Sequence, residues 1–430
     1  MTCPVCDESS FARLPVRGRA MVRCQGCGCL ASDDENPCNS PGGLALAGTG
    51  IYPRRDSETD ILPRYMDALR RRGFSGGSLL VVASAGARLD FAPASYDAAI
   101  MLQQLQSQPA PGELLRRTRA ALRPGAPLLL TLPRASSVAP ARWYFDETTT
   151  LLLLLRHGFR EVSVRDLPAS SEMLVIAVRD EPPALPKCSI IVAVFNESRT
   201  FPVLMDALLK KRIPGVDREI VVIESNSTDG TRELAKQYQG RPDVKLVLQD
   251  RPRGKGHAVR EGFRLATGDI VLIQDADLEY DLDDYDALLA PILSYRALFV
   301  LGTRHAGDWK IREFAQQRVL SAGLNFGHAF FTALINVLFR QKMTDPFTMF
   351  KVFRRDCLFG LEFQCNRFDF DHELVIKLVR KGCRPLEVPV NYRSRSFREG
   401  KKVRLFRDPL TWLWVDLRLR FSRALPKDPG

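Results

Sequence analysis

The stretch Ile270–Tyr280, IVLIQDADLEY, joins an apolar run to two carboxylates one residue apart, Asp275 and Asp277. The apolar run is typical of a buried strand, and a strand delivers alternate side chains to the same face. Two hard oxygen ligands on one face suit Mg²⁺ or Mn²⁺, which keep open positions for phosphate oxygens. A strand that simply leads into an acidic loop is the other interpretation, so the surrounding pattern decides between them.

Strand-like and helix-like runs alternate on the N-terminal side of this stretch. The strand-like runs are 188–194, 219–223 and 244–248, and the helix-like runs are 200–212, 232–238 and 257–266. Alternation at this spacing predicts an α/β domain with a mostly parallel sheet and right-handed crossovers. Sheets of this kind bind nucleotides at the carboxyl ends of their strands. We therefore expect a nucleotide site at the edge that carries the two aspartates.

Seven motifs follow one another at these strand ends and beyond them. They are Val194-Phe195-Asn196-Glu197, Glu224-Ser225 through Thr231, Gly254-Lys255-Gly256, Gln274-Asp275-Ala276-Asp277, Gly302-Thr303-Arg304, Thr344-Asp345 with Lys351, and Asn391-Tyr392-Arg393 through Lys402. In this order they resemble a family 2 glycosyltransferase of the GT-A fold, over residues 187–407. The resemblance is nearest to the dolichyl- or polyprenyl-phosphate mannosyl- and glucosyltransferases.

The resemblance implies a role for each motif. The donor nucleotide sugar, a UDP- or GDP-hexose, would be held by Phe195, Asn196, Glu197, Glu224, Ser225, Lys255 and Asp275. Mg²⁺ or Mn²⁺ would be bound most directly by Asp277, with Asp275 and Glu279 completing the shell. The catalytic set would be Asp277, Arg304, Asp345 and Lys351. Glu224-Ser225 departs from the Asp-Asp pair of similar enzymes, which leaves the base of the donor open. Asn196 as a helix cap and Arg304 as a surface arginine are the structural alternatives.

The acceptor is inferred from the balance of charges downstream of Thr344. A sugar hydroxyl needs a general base, whereas a lipid phosphate is already an anion and needs only cations to position it. The cations Arg393, Arg395, Lys401 and Lys402 favour a polyprenyl phosphate. The prediction is metal-dependent, inverting hexosyl transfer to that lipid. Transfer to a glycan hydroxyl is one alternative, and a non-catalytic scaffold that binds nucleotide sugars is another.

Two CxxC pairs open the chain, Cys3 with Cys6 and Cys24 with Cys27. Four thiolates at this spacing predict a structural Zn²⁺ in a zinc ribbon over residues 1–45. Redox thiols are the alternative, and Cys29 is expected to be a spectator. Aromatic and basic residues are not interleaved here, so we predict no nucleic acid as a partner.

Residues 46–183 are predicted to form a short α/β unit. The segments Ser95–Ala99, Leu122–Leu128 and Arg156–Phe159 resemble the latter half of a class I S-adenosylmethionine methyltransferase. The glycine-rich cofactor loop of that family is reduced to Val82–Ala87 with a single glycine, and there is no room for the second and third strands. A degenerate domain that serves as scaffold is therefore expected. The proline-rich segment 180–186 is a linker.

The basic charge indicates an anionic partner, which can be a membrane surface, a nucleic acid or a phosphorylated substrate, and charge alone does not separate these. The net charge is +12 and the pI is about 9.3. No signal peptide and no apolar run as long as the roughly 20 residues of a spanning helix are expected. Residues 408–430 are predicted to form an amphipathic, basic and aromatic tail, and 324–339 an interfacial or a core helix. We expect a cytoplasmic protein that is peripheral on the inner face of the membrane.

Overall fold

The computed structural model describes residues 3, 5, 11–16, 19–25, 29–32, 62–82, 93–133, 142–167, 172–180, 185–305, 318–393 and 407–422. Two compact units divide the chain, Met1–Pro183 and Ala184–Lys427. The boundary between them lies within the proline-rich segment 180–186.

The first unit contains two sheets among its described residues. Its elements are β1 (Phe11–Val16), β2 (Arg19–Cys24), β3 (Leu30–Ser32), α1 (Leu62–Arg70), β4 (Leu79–Val82), β5 (Ala98–Leu102), α2 (Pro111–Ala121), β6 (Pro127–Pro133), β7 (Trp143–Tyr144), α3 (Glu147–Arg156), β8 (Phe159–Leu167) and β9 (Glu172–Arg179). The first sheet has the order β1-β2-β3-β7, and the second has the order β4-β5-β6-β9-β8. In the second sheet β4, β5 and β6 run parallel to one another, and β9 pairs antiparallel with both β6 and β8. The assignment of this unit to a degenerate methyltransferase stays a prediction.

Three cysteines of the predicted zinc ribbon region are buried, Cys3, Cys24 and Cys29. A hydrogen bond with Cys3, followed by burial, raises the pKa of the Cys29 thiol well above its usual value. Cys29 is therefore a neighbour of Cys3, and the prediction that it takes no part in binding a metal is not tested. Cys6 and Cys27 lie outside the described residues, and among the described ones no cluster of three His, Cys, Asp or Glu forms a metal site. Structural zinc stays a prediction.

The second unit is built around one large sheet. Its elements are β10 (Lys187–Val194), α4 (Phe201–Lys210), β11 (Asp217–Glu224), α5 (Thr231–Lys236), β12 (Val244–Leu248), α6 (Lys255–Leu265), β13 (Ile270–Asp275), α7 (Tyr285–Leu293), β14 (Phe299–Thr303), α8 (Arg318–Phe339), β15 (Lys351–Arg354), α9 (Asp369–Arg380), β16 (Pro385–Pro389) and α10 (Arg407–Phe421).

The seven strands of this sheet have the order β12-β11-β10-β13-β15-β14-β16. All neighbours pair in parallel except β15, which is antiparallel to both β13 and β14. The predicted α/β class with a mostly parallel sheet is thereby confirmed. The register pairs Val194 with Glu224 and Ala193 with Asp275, so β10, β11 and β13 end at the same edge. The motif residues of three loops are brought together there.

Apolar packing on both faces holds this edge in place. Phe201, Leu204 and Leu288 of α4 and α7 join the buried face of β10 and β13 in one core cluster. On α6, Gly262 lies so close to β10 that an added Cβ would stand 2.4 Å from Cγ2 of Ile191. Burial of this kind stabilises by about 25 cal/mol per Å² of apolar surface. The loops of the site therefore rise from a rigid base.

Near the amino end of β11, opposite the carboxyl edge, lies the buried carboxylate of Glu219, which gives a test of how stability depends on pH. Glu219 accepts hydrogen bonds from Ser189 Oγ at 2.5 Å and from the Thr267 backbone N–H at 2.7 Å, and Lys245 Nζ lies 2.9 Å away. Burial alone would raise the pKa of Glu219, but these groups lower it to about 2.

Because this pKa is lowered on folding, the pairing stabilises above pH 4.5, the ordinary pKa of the group, and is lost as pH falls towards 2. We expect Glu219→Gln to be less stable than wild type at neutral pH and to lose less stability on acidification. Urea unfolding midpoints measured over a pH series give the change of stability with pH for the wild type and for Glu219→Gln. Glu233→Gln, at an exposed position of α5, should keep the wild-type slope.

Candidate active site at the carboxyl edge of the sheet

The loop after β10 and the loop after β11 are joined by reciprocal hydrogen bonds. The Thr228 backbone N–H donates to Asn196 Oδ1 at 2.9 Å, and the Asn196 backbone N–H donates to Ser227 Oγ at 2.9 Å. Glu197 N–H donates to Thr231 Oγ1 at 2.9 Å. Asn196 has a φ of 50°, a conformation that asparagine tolerates better than most residues. Asn196 therefore shapes the loop and does not cap α4, and its contact with a donor stays a prediction, as do those of Phe195 and Glu197.

Glu224 and Ser225 face a buried polar network. Glu224 has no exposed surface; its Oε1 accepts from Ser227 N–H at 2.6 Å, and its Oε2 accepts from Arg232 at 2.6 Å. Ser225 Oγ donates to Gln249 Oε1 at 3.0 Å. In this arrangement both carboxylate oxygens of Glu224 have partners inside the protein, and its contact with the base of a donor stays a prediction. Arg232 is the partner of Glu224 that the sequence pattern does not indicate.

Lys255 and Asp275 form an ion pair at the end of β13. Lys255 is the first residue of α6, and its Nζ lies 2.7 Å from Asp275 Oδ1 and 3.0 Å from Met349 Sδ. Burial alone would lower the pKa of Lys255, but the charges of Asp275, Asp371 and Asp277 raise it. The ammonium is therefore retained at neutral pH beside both aspartates of the DxD motif. The Gly-Lys-Gly turn thus lies against this motif, and the predicted contact of Lys255 with a donor diphosphate stays a prediction.

Asp277 and Glu279 point to different partners. Asp277 Oδ1 accepts from the Glu279 backbone N–H at 3.2 Å, and Leu278 between them has a φ of 58°. Glu279 Oε2 accepts from the Tyr392 hydroxyl at 2.8 Å. Asp275 and Asp277 supply the hard oxygen atoms that Mg²⁺ or Mn²⁺ requires, and both are partly exposed. The carboxylate oxygens of the two aspartates suit a divalent cation in their chemistry, although Lys255 Nζ lies within 2.9 Å of both oxygens of Asp275. Glu279, the third predicted ligand, is engaged by the Tyr392 hydroxyl, and its role stays a prediction.

Arg304 and Asp345 form a buried bidentate pair. Arg304 Nε and a terminal guanidinium nitrogen each lie 2.7 Å from an oxygen of Asp345, and His328 Nε2 lies 3.0 Å from Asp345 Oδ1. Burial alone would raise the pKa of Asp345, but Arg304 and His328 hold it well below its usual value. Arg304 is therefore not a surface arginine, because its guanidinium is buried and paired with Asp345. The catalytic roles of Arg304 and Asp345 stay predictions.

Lys351 is also committed inside the protein. Its side chain is fully buried on β15, and its Nζ donates to the Thr348 carbonyl and, at 3.1 Å, to Asp371 Oδ1. Burial lowers the pKa of Lys351, and Asp371 opposes this shift. Lys351 is therefore paired with Asp371 in this structure, and its catalytic role stays a prediction.

The predicted acceptor cations are only partly described. Arg393 is exposed and lines a cleft of about 700 Å³ together with Lys211, Glu279 and Tyr392. Its backbone N–H donates to the Glu279 carbonyl at 2.8 Å, so the segment that follows β16 is bound to the turn that follows the DxD motif. Arg395, Lys401 and Lys402 lie outside the described residues. The role of all four in binding a phosphate stays a prediction.

Close packing at the Gly-Lys-Gly turn fixes the position of Lys255. A Cβ added to Gly256 would stand 2.4 Å from Phe370 Cβ and 2.8 Å from the Cys365 carbonyl oxygen. Gly256→Ala is therefore expected to lower the free energy of unfolding by about 1–3 kcal/mol, because α9 has to shift. Urea unfolding measures the change. Gly327→Ala in α8, where nothing lies within 4 Å, is the matched control and should stabilise by up to about 1 kcal/mol. Equal loss in both variants would contradict the packing argument.

One edge of the parallel strands thus brings a DxD turn, a helix-terminal lysine and two interlocked loops together, and it is at this edge that α/β sheets bind nucleotides. Residues 189–359 match the family described as Glycosyl transferase family 2, so the chain contains a domain of this family. The prediction of a family 2 glycosyltransferase domain is confirmed for these residues by this match.

Curated relatives agree with the family but match only part of the chain. The dolichol-phosphate mannosyltransferase of Pyrococcus furiosus is 26% identical over 216 residues, which is 50% of this chain and 59% of that protein. The dolichyl-phosphate beta-glucosyltransferase of Trichomonas vaginalis is 28% identical over 218 residues, 47% of this chain and 63% of that protein. Glycosyltransferase AglD of Haloferax volcanii is 25% identical over 251 residues, 55% and 39% respectively. The chain thus spans between two fifths and two thirds of these relatives.

Solved structures similar to the chain include two phosphoglycerate sugar transferases. Mannosyl-3-phosphoglycerate synthase from Rubrobacter xylanophilus has a TM-score of 0.41 and 18% identity, over 56% of this chain and 77% of that one. Glucosyl-3-phosphoglycerate synthase from Mycobacterium tuberculosis, in complex with Mn²⁺, UDP-glucose and phosphoglyceric acid, has a TM-score of 0.40 and 20% identity, over 55% and 80%.

Proposed function

We propose that the protein is a metal-dependent, inverting hexosyltransferase that uses a nucleotide-diphosphate sugar and a polyprenyl phosphate. The observation that carries this proposal is the grouping of Asp275, Asp277 and Lys255 at the carboxyl edge of β13, with Lys255 Nζ 2.7 Å from Asp275. Two carboxylates beside one retained ammonium suit a diphosphate that arrives together with a divalent cation.

The donor end of the reaction rests on these three residues. Asp277 and Asp275 would hold Mg²⁺ or Mn²⁺, which neutralises the charge that develops on the departing nucleoside diphosphate. Lys255 stands at the N-terminus of α6, where backbone N–H groups and the helix dipole also favour an anion. The chain itself therefore contributes a second positive element at the place where phosphate oxygens would lie.

The choice of acceptor is argued from the partners of the carboxylates downstream of Thr344, which a hydroxyl acceptor would need as a general base. Asp345 is paired with Arg304, and Asp371 lies 3.1 Å from Lys351 Nζ. Glu373 is fully buried and accepts hydrogen bonds from the backbone N–H groups of Gln364 and Cys365. A hydroxyl acceptor needs a carboxylate that can receive its proton, and these three are engaged by cations or backbone N–H groups. A fourth downstream carboxylate, Asp369, is partly exposed and accepts from the Arg367 backbone N–H at 3.0 Å, so it is the base that the alternative with a glycan hydroxyl would use. A phosphate acceptor needs no base, and two curated relatives are named as dolichol- or dolichyl-phosphate transferases.

Transfer by the purified protein tests this function. UDP- and GDP-hexoses are offered with Mn²⁺, with and without a short polyprenyl phosphate, and the lipid and aqueous products are separated. A lipid-linked hexose supports the proposal. Nucleoside diphosphate release with a sugar-alcohol or glycan product, and none on lipid, would move the acceptor to a hydroxyl. No consumption of any donor, despite metal-dependent binding of a nucleoside diphosphate, would favour the non-catalytic scaffold.

A further inference from the structure

Helices α8 and α10 expose apolar residues on one side and bury polar residues on the other. Of eleven exposed large hydrophobic residues in the described part of the chain, seven lie on these two helices. A soluble protein normally has the reverse arrangement, with polar residues of a surface helix turned to water. Exposed apolar surface of this extent marks an interaction site.

Helix α10 shows the inversion most clearly. Its outer stripe is Leu410, Trp414, Leu417 and Phe421, spaced as i, i+4, i+7 and i+11 on one face. Trp414 is 59% exposed and Phe421 is 77% exposed. The two carboxylates of the helix point inward instead: Asp408 and Asp416 are buried, and Asp416 lies 2.9 Å from His372 Nδ1.

Helix α8 repeats the pattern beside it. Phe326, Phe330 and Val337 are exposed, the last by 77%, whereas Asn325 and His328 are buried. The two helices are joined through Phe331, whose ring meets Trp412 edge to face at 5.5 Å between centroids. The two helices are thus packed against each other, and their exposed apolar residues are together called the α8–α10 face: Phe326, Phe330, Val337, Leu410, Trp414, Leu417 and Phe421.

The charges around the α8–α10 face have one sign. Arg420 of α10 and Arg340, just beyond α8, are exposed, and Arg418 stacks on Trp414 with 4.5 Å between the guanidinium carbon and the ring centre. Helix α8 contains no acidic residue, and both acids of α10 are buried. An apolar stripe with aromatic residues and a rim of arginine is the arrangement of helices that lie in the surface of an anionic bilayer. No helix in the described part of the chain is long and apolar enough to cross a membrane.

We propose that the α8–α10 face docks the protein on a bilayer that contains anionic lipids, with both helices lying in the interface. The inner side of the same helices contacts the polar groups near the site, through His328 to Asp345 and through His372 to Asp416. Docking would thus hold the carboxyl edge of the sheet close to the lipid headgroups, where a polyprenyl phosphate carries its charge. The docking itself does not depend on the proposed transfer.

Vesicle binding by the full chain, without donor or acceptor, tests the proposal. We expect binding to phosphatidylcholine vesicles that contain phosphatidylglycerol to be at least about tenfold tighter than to phosphatidylcholine alone. The variant Trp414→Glu/Leu417→Glu should weaken binding by at least about tenfold, because two charges enter the interface. The matched control is Leu185→Glu/Val203→Glu, which changes two residues of similar exposure elsewhere on the same unit and should bind as wild type does.

The position of the face in the bilayer has a separate readout. Brominated lipids should quench tryptophan fluorescence of the bound wild type, and Trp414→Phe should still bind but lose a large part of this quenching. Failure of the wild type to bind either vesicle, or equal loss in the face variant and the control, would overturn the proposal. So would a stable dimer that Trp414→Glu/Leu417→Glu dissociates, since a second copy would then cover the face.

Discussion

Asp277→Asn is expected to lower the rate of hexosyl transfer by about 10³-fold or more, which corresponds to roughly 4 kcal/mol in the activation free energy. The loss is expected because a carboxylate that binds a divalent cation supplies several kcal/mol of charge stabilisation as the diphosphate leaves. Asparagine keeps the shape and leaves a neutral oxygen. Asp277 is only partly buried, in a turn with Leu278 at a positive φ, so the fold should not change.

The measurement is initial-rate transfer with Mn²⁺ titrated from zero to saturation. The matched control is Asp281→Asn, an exposed aspartate in the same loop whose Oδ1 accepts from the Asp283 backbone N–H at 3.0 Å. It should transfer sugar as wild type does at every Mn²⁺ concentration. Retention of more than a tenth of the wild-type rate by Asp277→Asn at saturating Mn²⁺ would remove Asp277 from the metal site. Binding of Mn²⁺ in the absence of substrates, measured by its paramagnetic signal, shows whether Asp277→Asn has lost metal binding or only the rate of transfer.

The sequence predicts the strands of the site well because their pattern is local. The apolar runs 188–194, 244–248 and 270–274 correspond to β10, β12 and β13 within one residue at each end. Once the sheet is parallel, its register brings the ends of β10, β11 and β13 to one edge. The meeting of Lys255 with Asp275 follows from this geometry, since both stand at that edge.

The partners of the charged residues could not be predicted, because they are remote in the chain. Arg304 and Asp345 are 41 residues apart and meet only because β15 runs antiparallel between β13 and β14. The Thr-Asp motif does not predict that Asp345 is fully buried and paired with the guanidinium of Arg304. The inward face of α10 is likewise set by packing, since Asp416 is drawn to His372 of α9. Sequence alone gives that helix a mixed composition without saying which side meets water.

The buried Arg304–Asp345 pair predicts the largest loss of stability. Asp345→Asn is expected to lower the free energy of unfolding by about 3–5 kcal/mol, because it leaves a buried guanidinium without its counter-charge. Arg304 is 5% exposed and Asp345 is not exposed at all, so water cannot compensate. The exposed pair Lys211–Asp283 supplies the control: Asp283→Asn removes a carboxylate that is 87% exposed and should change stability by less than about 0.5 kcal/mol. Urea unfolding of the full chain measures both.

Two further comparisons separate the charge from its neighbours. Arg304→Met together with Asp345→Leu removes both charges, so it should recover much of the loss if the unpaired guanidinium is its cause. The folded pKa of Asp345 lies well below 3.8, so the carboxylate stabilises above that pH and ceases to do so as pH falls through its folded pKa. The difference between wild type and Asp345→Asn should therefore narrow below about pH 4. A difference that does not change with pH, or a double variant no more stable than Asp345→Asn, would assign the loss to packing and not to charge.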